Sequence, residues 1–201
     1  MHLQSGTPRR VRHWIELLAE RLPATLKHVE RYAEDAMDIL LNSWLLYQTL
    51  SCRMWARSAF YQAGGAYGFR DQLQDSSALL YLDPRITRDQ ILLHAAHQFV
   101  EGDVLHWWHP PVGRGVRTHC SDDLLWMPFA AAHYVQSTGD LAIMNEMIPF
   151  LQAEPLKPGE HERYGQFPVG SEATFYEHCL RAIARGTTAG IHGIPLMGAH
   201  D

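Results

Sequence analysis

Three short clusters between Tyr61 and Trp126 concentrate the side chains that could do chemistry: Gly68–Asp75 (G-F-R-D-Q-L-Q-D), His106–Pro110 (H-W-W-H-P) and Ser121–Trp126 (S-D-D-L-L-W). Planar groups that bond in pairs, such as guanidinium, carboxylate and amide, suit adjacent hydroxyls, and the apolar face of a pyranose stacks on an aromatic ring. These are the residue types of a sugar-holding pocket. Their expected position in loops beside helices favours binding over packing. Arg70 and Asp71 are expected to hold neighbouring hydroxyls, with Gln72, Gln74 and Asp75 supporting them. Two adjacent indoles cannot face the same way, so one of Trp107 and Trp108 can form a stacking wall. Trp108 is assigned that place, with His109 beside it, and Arg117, Asp122 and Asp123 complete the set. Each has a plainer alternative: a surface turn for Arg70-Asp71, core for the indoles, and helix capping for Asp122 and Asp123.

Other chemistries find less support. His106 and His109 have a spacing that could bind zinc on a helix, but Pro110 and Pro111 oppose a helix and no third ligand is near in sequence. No metal is therefore expected. Gly113-Arg114-Gly115 lacks the Lys-Ser/Thr and helix entry of a phosphate loop, and no GxSxG occurs. Asp71, Asp75, Asp122 and Asp123 offer carboxylates for glycoside chemistry, yet their spacing selects no general acid.

The elements that must position these residues look helical. Amphipathic or apolar periodicity predicts helices over 9–21, 34–59, 122–137, 141–151 and 172–185, with Thr87 to Gln90 as a capping box ahead of Ile91. The 34–59 stretch is apolar around much of its circumference, which implies burial on several sides. Gly139 looks like a helix stop and Asp140 like a new cap. The expected fold class is all-α, built of helical hairpins in a solenoid or toroid, with residues 1–33 a lead-in or linker and 34–201 the main domain. A net charge of -5 gives no basic field for nucleic acid, and no apolar run is long enough to span a bilayer. Cys52, Cys120 and Cys179 form an odd, widely spaced set that reads as reduced thiols in a cytoplasmic protein.

With these motifs in hand, the chain resembles glycoside hydrolase family 94, most of all the phosphorylase-like domain of cyclic β-1,2-glucan synthetases. The matching text is N-S-W-L-L-Y (42–47), Cys52 to Tyr61, G-A-Y-G-F-R-D-Q-L-Q-D, E-G-D-V-L-H-W-W-H-P, G-R-G-V-R-T, S-D-D-L-L-W and the terminal P-L-M-G-A-H-D. The resemblance implies an (α/α)6 toroid and inverting phosphorolysis of β-linked glucans or β-glucosides. Phosphate would be a co-substrate, with no metal or organic cofactor. By motif, Arg57, Arg70 and Asp71 resemble the residues that hold the non-reducing-end sugar. In the family the Gly-x-x-Asp at Gly198 to Asp201 leads into Trp-Asn-Asp-Gly, whose Asp is the general acid, so that acid is expected just beyond Asp201. The chain is then expected to be an incomplete toroid whose exposed apolar faces meet the rest of the catalytic domain or a self-associating partner. Attachment of a parent synthetase to a membrane would come through other segments. The alternative is a non-catalytic carbohydrate-binding or scaffold fragment.

Overall fold

The structure, a computed structural model, describes residues 35–57 and 64–196. A helical run over 35–55 (α1) has α-helical turns at Asp35–Ile39 and Leu45–Tyr47 and π-helical turns at Leu40–Trp44 and Gln48–Trp55. There follow β1 (Tyr67–Gly68), α2 (Phe69–Ala78), α3 (Pro84–Ala95), β2 (Leu105–His109), β3 (Arg114–Thr118) and α4 (Asp123–Thr138). A 3-10 turn at Leu141–Asn145 leads into β4 (Met147–Leu151), then β5 (Glu162–Gly165), β6 (Val169–Thr174) and α5 (Phe175–Gly186). The predicted helix over 9–21, the end of the one over 34–59 and the terminal G-A-H-D lie outside the described residues.

The all-α expectation is overturned by two antiparallel sheets, one ordered β1-β2-β3-β5 and one pairing β4 with β6. Two of the strands lie within the polar-aromatic motifs. Leu105-His-Trp-Trp-His is rich in aromatics, which fit a pleated surface, and it turns back through Pro110 to Gly113 onto Arg114-Gly-Val-Arg-Thr. Gly115 lets the two strands close: a Cβ there would meet the Trp107 carbonyl oxygen at 2.3 Å and Trp108 Cβ at 2.8 Å. The helix expected over 141–151 is also corrected. Pro149 has no N–H and would clash inside a helix, and the segment instead pairs with β6.

Helix boundaries follow capping chemistry. Gly139 (φ 75°) closes α4 in the left-handed conformation, its N–H donating to Val135 O (2.8 Å), and Asp140 accepts from the Ala142 N–H (3.1 Å). Pro128 sits inside α4 without ending it. The proposed capping box at Thr87 is displaced: Asp83 caps α3, accepting from Arg85 N–H (3.0 Å), with Pro84 in the first turn. Thr87 is buried within α3 and its hydroxyl donates to Ser76 O (2.7 Å), tying α3 to α2.

The core lies where α2, α3, α4 and α5 meet the sheets, around Phe69, Leu73, Ile91, Phe99, Met127 and Phe175. The helical run α1 departs from the burial expected of it. Met54 is its one fully buried hydrophobic residue among the described residues, while Trp44, Tyr47 and Trp55 face outward. It packs on α2 through its last turns.

Candidate functional site

A cavity of about 680 Å3 opens where the 64–66 loop, the end of β1, the start of α2, strand β2 and the start of α4 converge. Gly68 precedes α2, and its N–H donates to Gln72 Oε1 (2.7 Å), while Gln72 Nε2 donates to Arg53 O (3.2 Å). This buried amide fixes the chain's entry into α2, so Arg70 and Asp71 project from the first turn into the cavity.

Strand β2 supplies the opposite wall through an irregularity. Leu105 pairs with Arg117 and Trp107 with Val116, so His106 is the extra residue of a β-bulge. Side chains alternate along a regular strand, but a bulge re-aims one of them. Here His106, Trp107 and His109 all line the cavity. Trp108 goes the other way. It is 1% exposed, stacked on His97 (3.9 Å between ring centroids) and Tyr67 (5.5 Å), with His94 edge-on (5.1 Å). The indole available as a wall is thus Trp107.

The floor comes from the Cys120–Asp123 turn at the start of α4. Asp122 occupies the capping position of α4 but makes no side-chain cap bond. Its carboxylate instead meets Arg70 Nη1 (3.0 Å) and accepts from the Cys120 thiol (3.2 Å), and the Arg70 guanidinium lies 5.4 Å over the Trp126 ring. Asp123, 2% exposed, places Oδ2 2.7 Å from His106 Nδ1. The Asp123 carboxylate, then Cys120, holds the His106 imidazole up to about 10, against the effect of burial. Burial pushes the Asp123 carboxyl itself up, opposed by the bond to His106. For Cys120 the His106 bond favours the thiolate, but burial and the neighbouring carboxylates outweigh it and the thiol is raised.

Arg70 and His106 therefore face Asp71, Asp122 and Asp123 in one cavity. Charges of both signs, each offering hydrogen bonds, suit a neutral, polyhydroxylated ligand better than a strongly charged one. Among the described residues, Asp71 makes no side-chain hydrogen bond, which leaves its carboxylate available. The donor atoms of His106, Cys120 and Asp123 lie within 4.8 Å of one another, close enough to share a metal ion.

Of the residues singled out from sequence, Arg70, Asp71, His109, Asp122 and Asp123 meet at the cavity, and Arg57, Gln74, Asp75, Trp108 and Arg117 do not line it. Arg57 braces the loop behind it. Its Nε donates to Gly65 O (2.7 Å), its guanidinium lies 5.0 Å over Tyr67, and it holds a left-handed backbone (φ 50°) at about 1–2 kcal/mol of strain. Asp75 is turned toward α1 and bonded to Arg53 Nε (2.7 Å); burial raises its carboxyl, opposed by Arg53. Gln74 is exposed to solvent. Arg117 is fully buried in a structural bond network. Sequence reasoning missed His106 and Cys120 as site members. A signal for His106 lies in its H-x-x-H spacing, but its partners Cys120 and Asp123 stand 14 and 17 positions later, across a hairpin that the sequence pattern does not reveal.

The profile of the glycosyl hydrolase 94 superfamily catalytic domain matches residues 23–201. The chain is 49% identical over 170 residues to the cyclic beta-(1,2)-glucan synthase NdvB of Rhizobium meliloti, covering 84% of this chain and 6% of that protein. It is 27% identical over 199 residues to the N,N'-diacetylchitobiose phosphorylase of Vibrio furnissii, covering 85% of this chain and 22% of that protein. With the solabiose phosphorylase of Paenibacillus borealis the identity is 26% over 167 residues, covering 81% of this chain and 20% of that protein. The chain thus spans a quarter or less of the length of these relatives. With a profile match over most of its length, the chain belongs to the glycosyl hydrolase 94 superfamily.

Proposed function

We propose that this chain forms the sugar-holding portion of a glycoside-phosphorylase-type domain acting on β-linked glucans, without a general acid of its own. The observation that carries this reading is the junction of Arg70, Asp71 and Trp107 around one cavity. Arg70 and Asp71 would take adjacent hydroxyls of the donor sugar, and Trp107 would offer its ring face. Arg57 would act by holding the 64–66 loop against the cavity rather than by touching sugar.

Two cavity carboxylates already have cationic partners: Asp123 is held by His106 and Asp122 by Arg70. An inverting phosphorolysis needs one carboxylic acid to protonate the departing glycosidic oxygen while phosphate attacks from the opposite face. We assign that acid to no residue of this chain, and inorganic phosphate is the only co-substrate the reading requires. The names of the relatives, a glucan synthase and two disaccharide phosphorylases, support the substrate class.

Calorimetry of the 201-residue chain with β-1,2-glucooligosaccharides tests the binding half. Heat of binding that is lost in Arg70→Ala is expected, and no heat at millimolar ligand would reject the reading. A glucose 1-phosphate assay tests the other half. The chain alone should release none from β-glucans, and clear phosphorolysis would overturn the assignment of the acid elsewhere.

A further inference from the structure

We propose that His106, Cys120 and Asp123 form a binding site for one divalent transition metal of the zinc type, with its remaining position facing the cavity. The three residues are brought together from a strand bulge, a loop and a helix start, and their donor atoms lie within 4.8 Å of one another. Imidazole, thiolate and carboxylate are zinc's usual ligands, and three protein ligands plus an open position is a common zinc arrangement. The soft sulfur disfavours magnesium and calcium.

A second observation points the same way. Asp123 is 2% exposed, and while Oδ2 bonds His106, Oδ1 is buried without a hydrogen-bond partner among the described residues. A buried carboxylate oxygen with no donor is costly, and a cation removes that cost. Thiolate and carboxylate together carry two negative charges, which neutralise a divalent ion in a partly dry site. Ligand atoms on a tetrahedral zinc stand roughly 3.3–3.8 Å apart. The present 2.7 Å contact of His106 with Asp123 must therefore open by about 0.6 Å, a small ring displacement.

Binding is an exchange of protons for metal. The thiol of Cys120 gives up its proton to become thiolate, and the imidazolium of His106 gives up one to free a nitrogen lone pair. Two protons leave for each ion bound, and no oxidant or reductant is involved. Where both groups are protonated, affinity should rise about 100-fold per pH unit.

The test uses the 201-residue chain and cobalt(II), whose bond to a thiolate gives a near-ultraviolet charge-transfer band. The band should appear on titration with one ion per chain, be bleached by zinc, and be unaffected by magnesium. Cys120→Ser should abolish it, His106→Gln and Asp123→Asn should weaken binding at least about tenfold, and Cys52→Ser should leave it intact. Absence of the band at millimolar cobalt, or its persistence in Cys120→Ser, would overturn the proposal. A measurement that needs no substitution is protection from alkylation. Zinc should slow iodoacetamide labelling of Cys120 but not of Cys52, and equal labelling with and without zinc would also overturn it.

Discussion

The corner around Arg117 and the cavity around Arg70 use the same kinds of side chain to opposite ends. Arg117 is fully buried, with Nε and Nη2 each 2.7 Å from Asp103 and Nη2 3.0 Å from Glu101. Its Nη1 donates to the carbonyls of Ala153 and Glu154, and its guanidinium lies 3.9 Å over Phe99. Arg70 is about half exposed and meets one carboxylate, Asp122. A guanidinium whose donors are used inside the fold is holding the fold together. One with donors to spare at a cavity is free to hold something else. Both arginines sit in short polar motifs, so motif membership does not separate the roles; the number of partners does.

The largest effect that could break this contrast is at Arg117. Arg117→Met removes the cation and leaves Asp103, Glu101 and the Ala153 carbonyl without the guanidinium that bonds them, while the Glu154 carbonyl keeps Arg163 Nη1 as donor (2.7 Å). Removing one partner of a buried ion pair typically costs about 3–5 kcal/mol, against a typical domain stability of about 5–15 kcal/mol. Urea unfolding should show a loss of that size or no folded protein at all. A change below about 1 kcal/mol would put Arg117 in the same exposed class as Arg70.

At the cavity the same deletion should spare the fold and hit the ligand. Arg70→Ala removes an exposed ion pair worth at most about 1 kcal/mol to stability. Losing a charge-assisted hydrogen bond to a ligand costs about 1.5–3 kcal/mol, so sugar affinity should fall at least about tenfold. Asp71→Asn should do likewise, and in an active, longer form of the protein kcat/KM should fall by a similar factor. Unfolding curves and calorimetry on the same samples separate the two regions. If Asp71→Asn binds sugar as well as the parent, the Arg70-Asp71 pair returns to being a surface turn.

The sequence was most legible where one local rule decides. Gly139 and Asp140 end one helix and cap the next turn as their types require, and Arg70 and Asp71 stand at a helix start beside glycines. It was least legible where the outcome depends on distant partners. Leu105 to His109 and Arg114 to Thr118 carry no strong alternation, because a bulge at His106 and the close approach at Gly115 break the period of two. Met147 to Leu151 is apolar enough to continue a helix, and Pro149 with its partners on β6 decides otherwise. The indole pair shows both sides. That Trp107 and Trp108 must diverge follows from their adjacency, but which of them faces the cavity is set by the strand register.

A smaller effect tests whether His106 belongs to the cavity's binding chemistry or to its support. Its imidazole is raised to about 10 when folded, above its ordinary value near 6.5. A group raised on folding contributes its full share below pH 6.5, and that share is lost as pH rises through 10. Loss of the imidazolium also leaves the buried Asp123 carboxylate without its cation. The ring is 42% exposed, so solvent screens the pair and the loss should be on the order of 1 kcal/mol. Urea midpoints measured from pH 6.5 to 10 should decline in the parent and decline less in His106→Gln. Equal slopes would mean that the pair contributes nothing to stability.

The smallest expected effect is at Gln74, one of two amides on α2 that the motif does not tell apart. Gln72 is buried, accepts from Gly68 N–H at 2.7 Å and donates to Arg53 O. Replacing it with Ala strands a buried backbone N–H, at a cost of about 1–3 kcal/mol, and frees the turn that aims Arg70 and Asp71. Gln74 lies two residues on, and two residues along a helix is about 200° around it, which is why the same residue type there meets water. Gln74→Ala should change stability by no more than about 0.5 kcal/mol, with Ala's better helix propensity offsetting any lost contact. Sugar affinity should not move at all. Thermal melts and calorimetry on Gln74→Ala would reveal a role if affinity fell severalfold, since that would require the amide to reach a ligand extending out of the cavity.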